Sequence, residues 1–175
     1  EPEEGLSKVD REYYVMQGEI YTEQAHGEKG ELTESIDKLL AETPEYMVFN
    51  GAAHGVSRKP LKANIGESVR VYFGVGGPNK TSSFHVIGEI FDKAYPLASV
   101  TSAPMTDVQT VTVPAGAAAV TDSTVQVPGK YILVDHALSR LEKGLKGILQ
   151  VSGVEQAEIF KPHQIEDPAK VAASG

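Results

Sequence analysis

The residues of this sequence best suited to metal or proton chemistry are its five histidines: His26, His54, His85, His136 and His163. His85 lies inside the segment SSFHVIG, and His136 directly follows the apolar run ILVD. A histidine at the end of a strand can project from the rim of a β-sandwich as a metal ligand or a proton carrier. His26, His54 and His163 lie in loop-like or tail segments, where we expect solvated side chains.

A structural interpretation of His85 and His136 competes with the functional one. A single histidine at a strand end is more often a hydrogen-bonded structural residue than a ligand. Two histidines also fall short of the three or four ligands of a usual metal site, and the sequence has no HxH, HxxxH or HExxH pattern to add others. Asp135 and His136 are not expected to form a dyad, because adjacent strand residues point to opposite faces.

The composition excludes several kinds of site. The 175 residues include no cysteine, so the chain cannot contain a disulfide, a thiolate zinc site, a cysteine nucleophile or a blue-copper site of its own. The net charge of −8 disfavours binding to nucleic acid or to an anionic membrane surface. No apolar run approaches the roughly 20 residues that cross a bilayer. The chain starts without a methionine or a leader, so we expect a processed or excised part of something longer.

Hydrophobic periodicity predicts the elements that must hold the histidines in place. One helical face is formed by Leu32, Ile36, Leu39 and Leu40, which predicts a short helix near residues 32–42. We also predict one or two helical turns at residues 137–143, which end at Gly144. Elsewhere, short runs rich in β-branched and aromatic residues alternate with Gly, Pro and Asn, which is typical of an all-β sandwich or barrel. We predict strands at 13–21, 46–49, 69–73, 83–87, 90–95, 108–113, 120–127, 130–134 and 146–151.

A long stretch around His85 resembles a known family. Residues 76–92, GGPNKTSSFHVIGEIFD, resemble the C-terminal (second) cupredoxin domain of nitric-oxide-forming, copper-containing nitrite reductases, as do residues 46–51, 113–116 and 128–136. The resemblance implies a cupredoxin-like Greek-key β-sandwich at 13–153, an N-terminal lead-in at 1–12 and a C-terminal extension at 154–175. The position where a blue-copper cupredoxin carries its cysteine holds another residue here, as in second domains of this family.

The resemblance also implies roles for His136 and His85. His136 matches the ligand that a second domain contributes to a type 2 copper shared with a neighbouring subunit, and His85 matches the proton-relay histidine. Ile87 matches the residue that shapes the nitrite pocket, and Leu138 an apolar residue that lines it. The type 1 copper is expected only in a first domain, outside this chain.

One further catalytic position follows from the same resemblance. Thr110 matches a residue that is linked to the relay histidine by hydrogen bonding. Gln109 stands where many members of the family have glutamate.

The function implied is the reduction of nitrite to nitric oxide by a dissimilatory enzyme of denitrification, in the periplasm or another extracytoplasmic location. The implied partners are a first cupredoxin domain of the same enzyme, the other subunits of a homotrimer, nitrite, and a small electron-donor protein, either a cupredoxin or a cytochrome c. We expect the chain by itself to be inactive. The alternative is a non-catalytic cupredoxin module or fragment that serves assembly or partner binding. A multicopper-oxidase domain is disfavoured, because those proteins depend on His-x-His pairs.

Overall fold

The fold is built from short strands, many of which alternate buried and exposed side chains. The structure is a computed structural model, and it describes residues 5–160. Within these residues the chain forms two short α-helices, α1 (Ile36–Leu40) and α2 (Gly55–Arg58), and 3₁₀ helices at Pro96–Ala98 and Leu138–Lys143. The strands are β1 (Arg11–Ile20), β2 (Tyr46–Phe49), β3 (Leu61–Asn64), β4 (Ser68–Gly77), β5 (Ser82–Ile87), β6 (Phe91–Tyr95), β7 (Met105–Val108), β8 (Thr110–Val113), β9 (Ala118–Thr124), β10 (Gly129–Asp135) and β11 (Gly147–Ser152).

The strands form two mixed sheets. One has six strands in the order β2-β1-β4-β9-β6-β7, and the other has five in the order β3-β11-β10-β5-β8. The pairs β1–β4 and β3–β11 are parallel, and the remaining pairs are antiparallel. The all-β prediction is therefore confirmed, and so are the helix near 32–42 and the helical turns near 137–143.

Aromatic rings from both sheets meet in the core. Phe84 of the five-stranded sheet is fully buried, and its ring stacks on Phe73 at a centroid distance of 3.9 Å and on Phe91 at 5.6 Å. Phe73 and Phe91 both belong to the six-stranded sheet. Because stacked rings combine large apolar burial with specific geometry, these contacts fix how the two layers lie against each other.

A buried ion pair lies on the outer face of the six-stranded sheet. Arg70 is 2% exposed and donates hydrogen bonds to Asp122 Oδ1 at 2.7 Å and to Asp122 Oδ2 at 2.8 Å. Its guanidinium also donates to the carbonyl oxygen of Ser7 at 2.9 Å. The segment before β1 therefore covers this pair, which explains how a charged side chain is buried on an outer face.

The predicted strand at 108–113 was wrong as a single element. It combines Val108, the last residue of β7 in the six-stranded sheet, with β8 of the five-stranded sheet, and Gln109 lies between them. The alternation of apolar and polar residues slips at the break, where Gln109 and Thr110 are both polar and exposed, and the prediction of one strand overlooked this slip. The short strand β3 was also missed, because Leu61–Asn64 contains only two apolar residues.

The ends of the chain lie partly outside the described residues. The predicted lead-in at 1–12 and extension at 154–175 include residues 1–4 and 161–175, and His163 is among them. These domain boundaries stay predictions.

Candidate metal and proton-transfer site

Strand register brings the predicted site residues to one face of the five-stranded sheet. His85 pairs with Val134 of β10 on one side and with Thr110 of β8 on the other, while Ile87 pairs with Ile132. Residues that lie opposite each other on neighbouring strands share a face of the sheet. His85, Ile87 and Thr110 therefore lie on the same outer face.

His136 joins this face just beyond the end of β10. It follows Val134 by two residues, which is the repeat of one face of a strand. Its backbone N–H donates to the carbonyl oxygen of Ser83 at 2.8 Å and so extends the pairing of β5 with β10 by one step. The ring centroids of His85 and His136 are 5.4 Å apart and tilted by 53°. His136 is exposed, whereas His85 is half-buried.

One hydrogen bond orients the ring of His85. Its Nδ1 lies 2.6 Å from the carbonyl oxygen of Gln109. Because a carbonyl oxygen only accepts, Nδ1 carries the proton of the neutral ring, and Nε2 is left to accept or deliver a proton. Among the described residues, the partner of the His85 ring is thus the backbone of Gln109 rather than the hydroxyl of Thr110.

Two large apolar side chains near the histidines in the sequence are exposed. Ile87 is 40% exposed and Leu138 is 43% exposed, although both are large aliphatic residues. Ile87 also borders a depression of about 310 Å³ in which apolar Ile132 and Leu141 lie beside polar residues, namely His54, Glu142 and Lys146. Exposed apolar side chains with polar residues around them are typical of a surface that another protein covers. His54 was expected to be a plain loop residue, and no sequence signal indicated that it borders this depression.

A second depression lies beside His85. Its volume is about 440 Å³, and His85, Gly88, Glu89, Ile90 and Gln109 line it. Burial raises the pKa of the Glu89 carboxyl above its ordinary value, and the nearby charge of Asp92 adds to the effect. Sequence reasoning missed Glu89, because a carboxylate in a turn is usually solvated.

Asp135 lies behind the histidine pair, in the interior. It is 1% exposed, and Oδ1 accepts hydrogen bonds from the backbone N–H groups of Ser83 and Ala137, each at 3.1 Å. Oδ2 accepts from Arg140 Nη1 and from Gln17 Nε2, the latter at 3.2 Å. Asp135 and His136 therefore point to opposite sides, as expected, and do not form a dyad.

The described residues do not complete a metal site. Across residues 5–160, no group of three or more His, Cys, Asp or Glu side chains is placed to hold a metal ion. The imidazole of His136 is a suitable ligand for copper, but further ligands would have to come from outside this part of the chain. No helix in residues 5–160 is long and apolar enough to span a membrane.

Comparisons with known proteins give a consistent relationship. No protein-family model matches the sequence. The copper-containing nitrite reductase of Neisseria meningitidis (serogroup A) is 48% identical over 164 residues, which cover 91% of this chain and 42% of that protein. The copper nitrite reductase structure from Nitrosomonas europaea superposes with a TM-score of 0.73 at 29% identity, covering 87% of this chain and 53% of the other.

A multicopper oxidase structure has the same fold. It superposes with a TM-score of 0.69 at 23% identity, covering 87% of this chain and 47% of the other chain. At this identity the likeness shows the fold alone. Together with the match to the nitrite reductase structure, it confirms the cupredoxin-like fold prediction. The chain spans less than half the length of the Neisseria protein that it matches. The chain belongs to the copper-containing nitrite reductase family and corresponds to one cupredoxin-like part of such a protein.

Proposed function

We propose that this chain is the second cupredoxin domain of an enzyme that reduces nitrite to nitric oxide, with His136 as one ligand of a type 2 copper and His85 as its proton relay. The observation that carries the proposal is the pair of imidazoles, whose ring centroids are 5.4 Å apart on one sheet face. The exposed side chains of Ile87 and Leu138 form an apolar rim beside them. Relatives that share 48% identity and are named copper-containing nitrite reductases support the choice of reaction.

His136 meets the chemical requirements for a copper ligand. Its ring is exposed, and its backbone is held by the hydrogen bond to Ser83. When bound there, copper supplies a Lewis-acid position for nitrite and passes on one electron. The remaining ligands belong to a partner in this proposal, because no site of three ligands forms within the described residues.

His85 is the proton-delivering group in this proposal. Reduction of nitrite to nitric oxide takes up one electron and two protons and releases water, so the departing oxygen must be protonated. With Nδ1 held by the Gln109 carbonyl oxygen, the Nε2 side of the ring is the side that donates. Ile87 and Leu138 form the apolar walls that restrict how the anion lies and keep water away.

The incomplete ligand set around His136 is consistent with a site shared between subunits. A first cupredoxin domain of a neighbouring subunit in a homotrimer would cover the exposed Ile87 and Leu138 and would supply the missing ligands. That first domain would hold the type 1 copper, since this chain has no cysteine. In this proposal the enzyme receives its electron from a small donor protein, either a cupredoxin or a cytochrome c. It is extracytoplasmic and takes part in denitrification.

A non-catalytic module is the second candidate function. The observation that favours it is the lack of a complete metal site within residues 5–160. A domain retained only for assembly would keep the apolar rim and would not need the paired imidazoles.

The test removes each histidine separately from the assembled protein. His136→Ala should lose the type 2 copper and nitrite-dependent nitric oxide formation, while the type 1 copper absorption stays. His85→Ala should keep both coppers and lose most activity, by roughly 100-fold or more, because general acid–base catalysis contributes that much.

His26→Ala is the matched control. His26 contacts Tyr46 at a ring distance of 4.6 Å and lies outside the site, so copper content and activity should be unchanged. Full type 2 copper content in His136→Ala would overturn the ligand assignment. Copper-loaded protein without nitric oxide formation would favour the non-catalytic module.

A further inference from the structure

We propose that the ion pair between the buried Asp135 and Arg140 is a clamp that sets the position of His136 and Leu138 relative to His85. The inference rests on the proposed function and adds positioning residues to it. Both side chains act through the backbone that carries the site residues.

The clamp first joins the two strands that present the histidines. Asp135 is on β10, and its Oδ1 accepts the N–H of Ser83 on β5 at 3.1 Å. The carbonyl oxygen of the same Ser83 accepts the N–H of His136 at 2.8 Å. Ser83 precedes His85 by two residues on the same strand, so these bonds set the spacing of the two imidazoles at their backbones.

The clamp also closes the loop that contains both His136 and Leu138. Asp135 Oδ1 accepts the N–H of Ala137 at 3.1 Å, and Oδ2 accepts from Arg140 Nη1. The ends of the segment from 135 to 140 are thereby tied together, and the ligand and the pocket wall lie between them. Arg140 Nη1 additionally donates to the carbonyl oxygen of Thr81 at 2.8 Å, next to the start of β5.

A third contact anchors the clamp to the opposite sheet. Gln17 of β1 is fully buried, and its Nε2 donates to Asp135 Oδ2 at 3.2 Å. One buried carboxylate thus accepts hydrogen bonds from four donors, which belong to β1, to β5 and to the segment that follows β10. A carboxylate has acceptor sites for all four, whereas an asparagine in its place would present an N–H₂ donor to two of them.

The test measures copper affinity in the assembled protein, with copper(II) titrated into the copper-free form. Arg140→Gln and Asp135→Asn should each weaken the type 2 site by roughly 10- to 100-fold, as loss of a supporting hydrogen bond to a ligand segment typically does. The electron paramagnetic resonance signal of the remaining type 2 copper should change, and the type 1 signal should not. Arg140→Lys retains the charge, so it should recover part of the affinity.

Asp122→Asn is the matched control, because it breaks a different Arg–Asp pair, the buried one with Arg70 on the six-stranded sheet. It should lower Tm without changing type 2 affinity. If the Asp135 and Arg140 variants lower Tm in the same way and leave affinity unchanged, the pair is only structural and the clamp is refuted.

A readout without copper separates this inference from the proposed function. Amide hydrogen exchange at His136 and Ala137 should accelerate roughly tenfold or more in Arg140→Gln, because two segment ends are released, and should stay unchanged in Asp122→Asn. Unchanged exchange in Arg140→Gln would overturn the clamp even if the copper site exists. If the unmodified protein binds no type 2 copper while the exchange result holds, the proposed function fails and the clamp on the His136 segment stands.

Discussion

At the scale of single residues, the environment of each side chain decides what its chemistry can be. His85 and His136 have the same side chain, but His85 is held through Nδ1 by a carbonyl oxygen, and His136 is exposed without such a bond in the described part of the chain. The first is suited to directed proton transfer and the second to ligation. Glu89, which lies beside His85, should make the stability of the protein depend on pH.

Replacing Glu89 with glutamine should stabilise the protein at neutral pH. Burial raises the pKa of Glu89 in the folded state, so folding favours its protonated form, and that stabilisation is lost as pH rises through the folded pKa. The charge of Asp92 adds to the rise in the pKa of Glu89, and Glu89 in turn helps to raise the pKa of Tyr131. His85 lines the same depression. Thermal unfolding of Glu89→Gln should show a higher Tm than the unmodified protein at about pH 7 and an equal one near pH 4. An equal or lower Tm at neutral pH would contradict the effect of burial.

At the scale of elements, the 3₁₀ helix Leu138–Lys143 links the site to the body of the sandwich. It starts directly after the His136 segment and ends at Gly144, which has a φ of 105°. A Cβ on Gly144 would lie 2.7 Å from Cβ of Ala53 and 3.1 Å from the carbonyl oxygen of Met47. The close approach of this turn to β2 therefore requires glycine.

Gly144→Ala should lower the free energy of unfolding by more than the backbone strain alone. The left-handed conformation costs roughly 1–2 kcal/mol for a residue with a Cβ, and the overpacking against Ala53 adds about 1–3 kcal/mol. Gly116→Ala is the control, because Gly116 also has a positive φ, of 78°, but a Cβ added there would meet no atom within 4 Å. Urea denaturation of the two variants should separate the two contributions, and equal losses would show that the contact with Ala53 relaxes freely.

At the scale of the whole molecule, ion pairs at the surface tie distant segments together. Glu67 accepts both hydrogen bonds of the Arg11 guanidinium, at 2.8 Å and 2.9 Å, and the backbone N–H of Asn64 at 2.8 Å. These bonds lower the pKa of Glu67 to about 2. Hydrogen bonds with Ser68 likewise lower the pKa of Asp10, and Lys38 lowers that of Glu45.

Acid should therefore destabilise the molecule through these carboxylates. Their folded-state pKa values lie below the unfolded ones, so their stabilisation is present above about pH 4.5 and is lost as pH falls towards 2. Glu67→Gln should lower Tm at about pH 7 and should show a shallower decline as the solution is acidified through that range. Calorimetry at several pH values measures both slopes, and parallel slopes would exclude a role for Glu67 in the acid transition.

Much of the fold could be predicted from local sequence pattern, because burial alternates with a period of two along many of the strands. The central strands β4, β5 and β10 are rich in apolar residues, and their predicted centres agree with the structure. The strand at 108–113 was not divided correctly, because the slip in alternation at Gln109 does not show that the residues on its two sides belong to different sheets. The resemblance supplied the candidate site residues, and composition alone would not have selected them.

The sequence by itself determined that this protein is a β-sandwich, that it has no cysteine for a type 1 copper, and that two of its histidines stand in strand contexts. These properties are local or compositional, so no partner strand is needed to read them. Only the tertiary structure decided that His85 and His136 lie 5.4 Å apart and that the carboxylate of Asp135 accepts four hydrogen bonds behind them. The physical reason is that register and side-chain pairing across β5 and β10 depend on contacts between residues far apart in the chain.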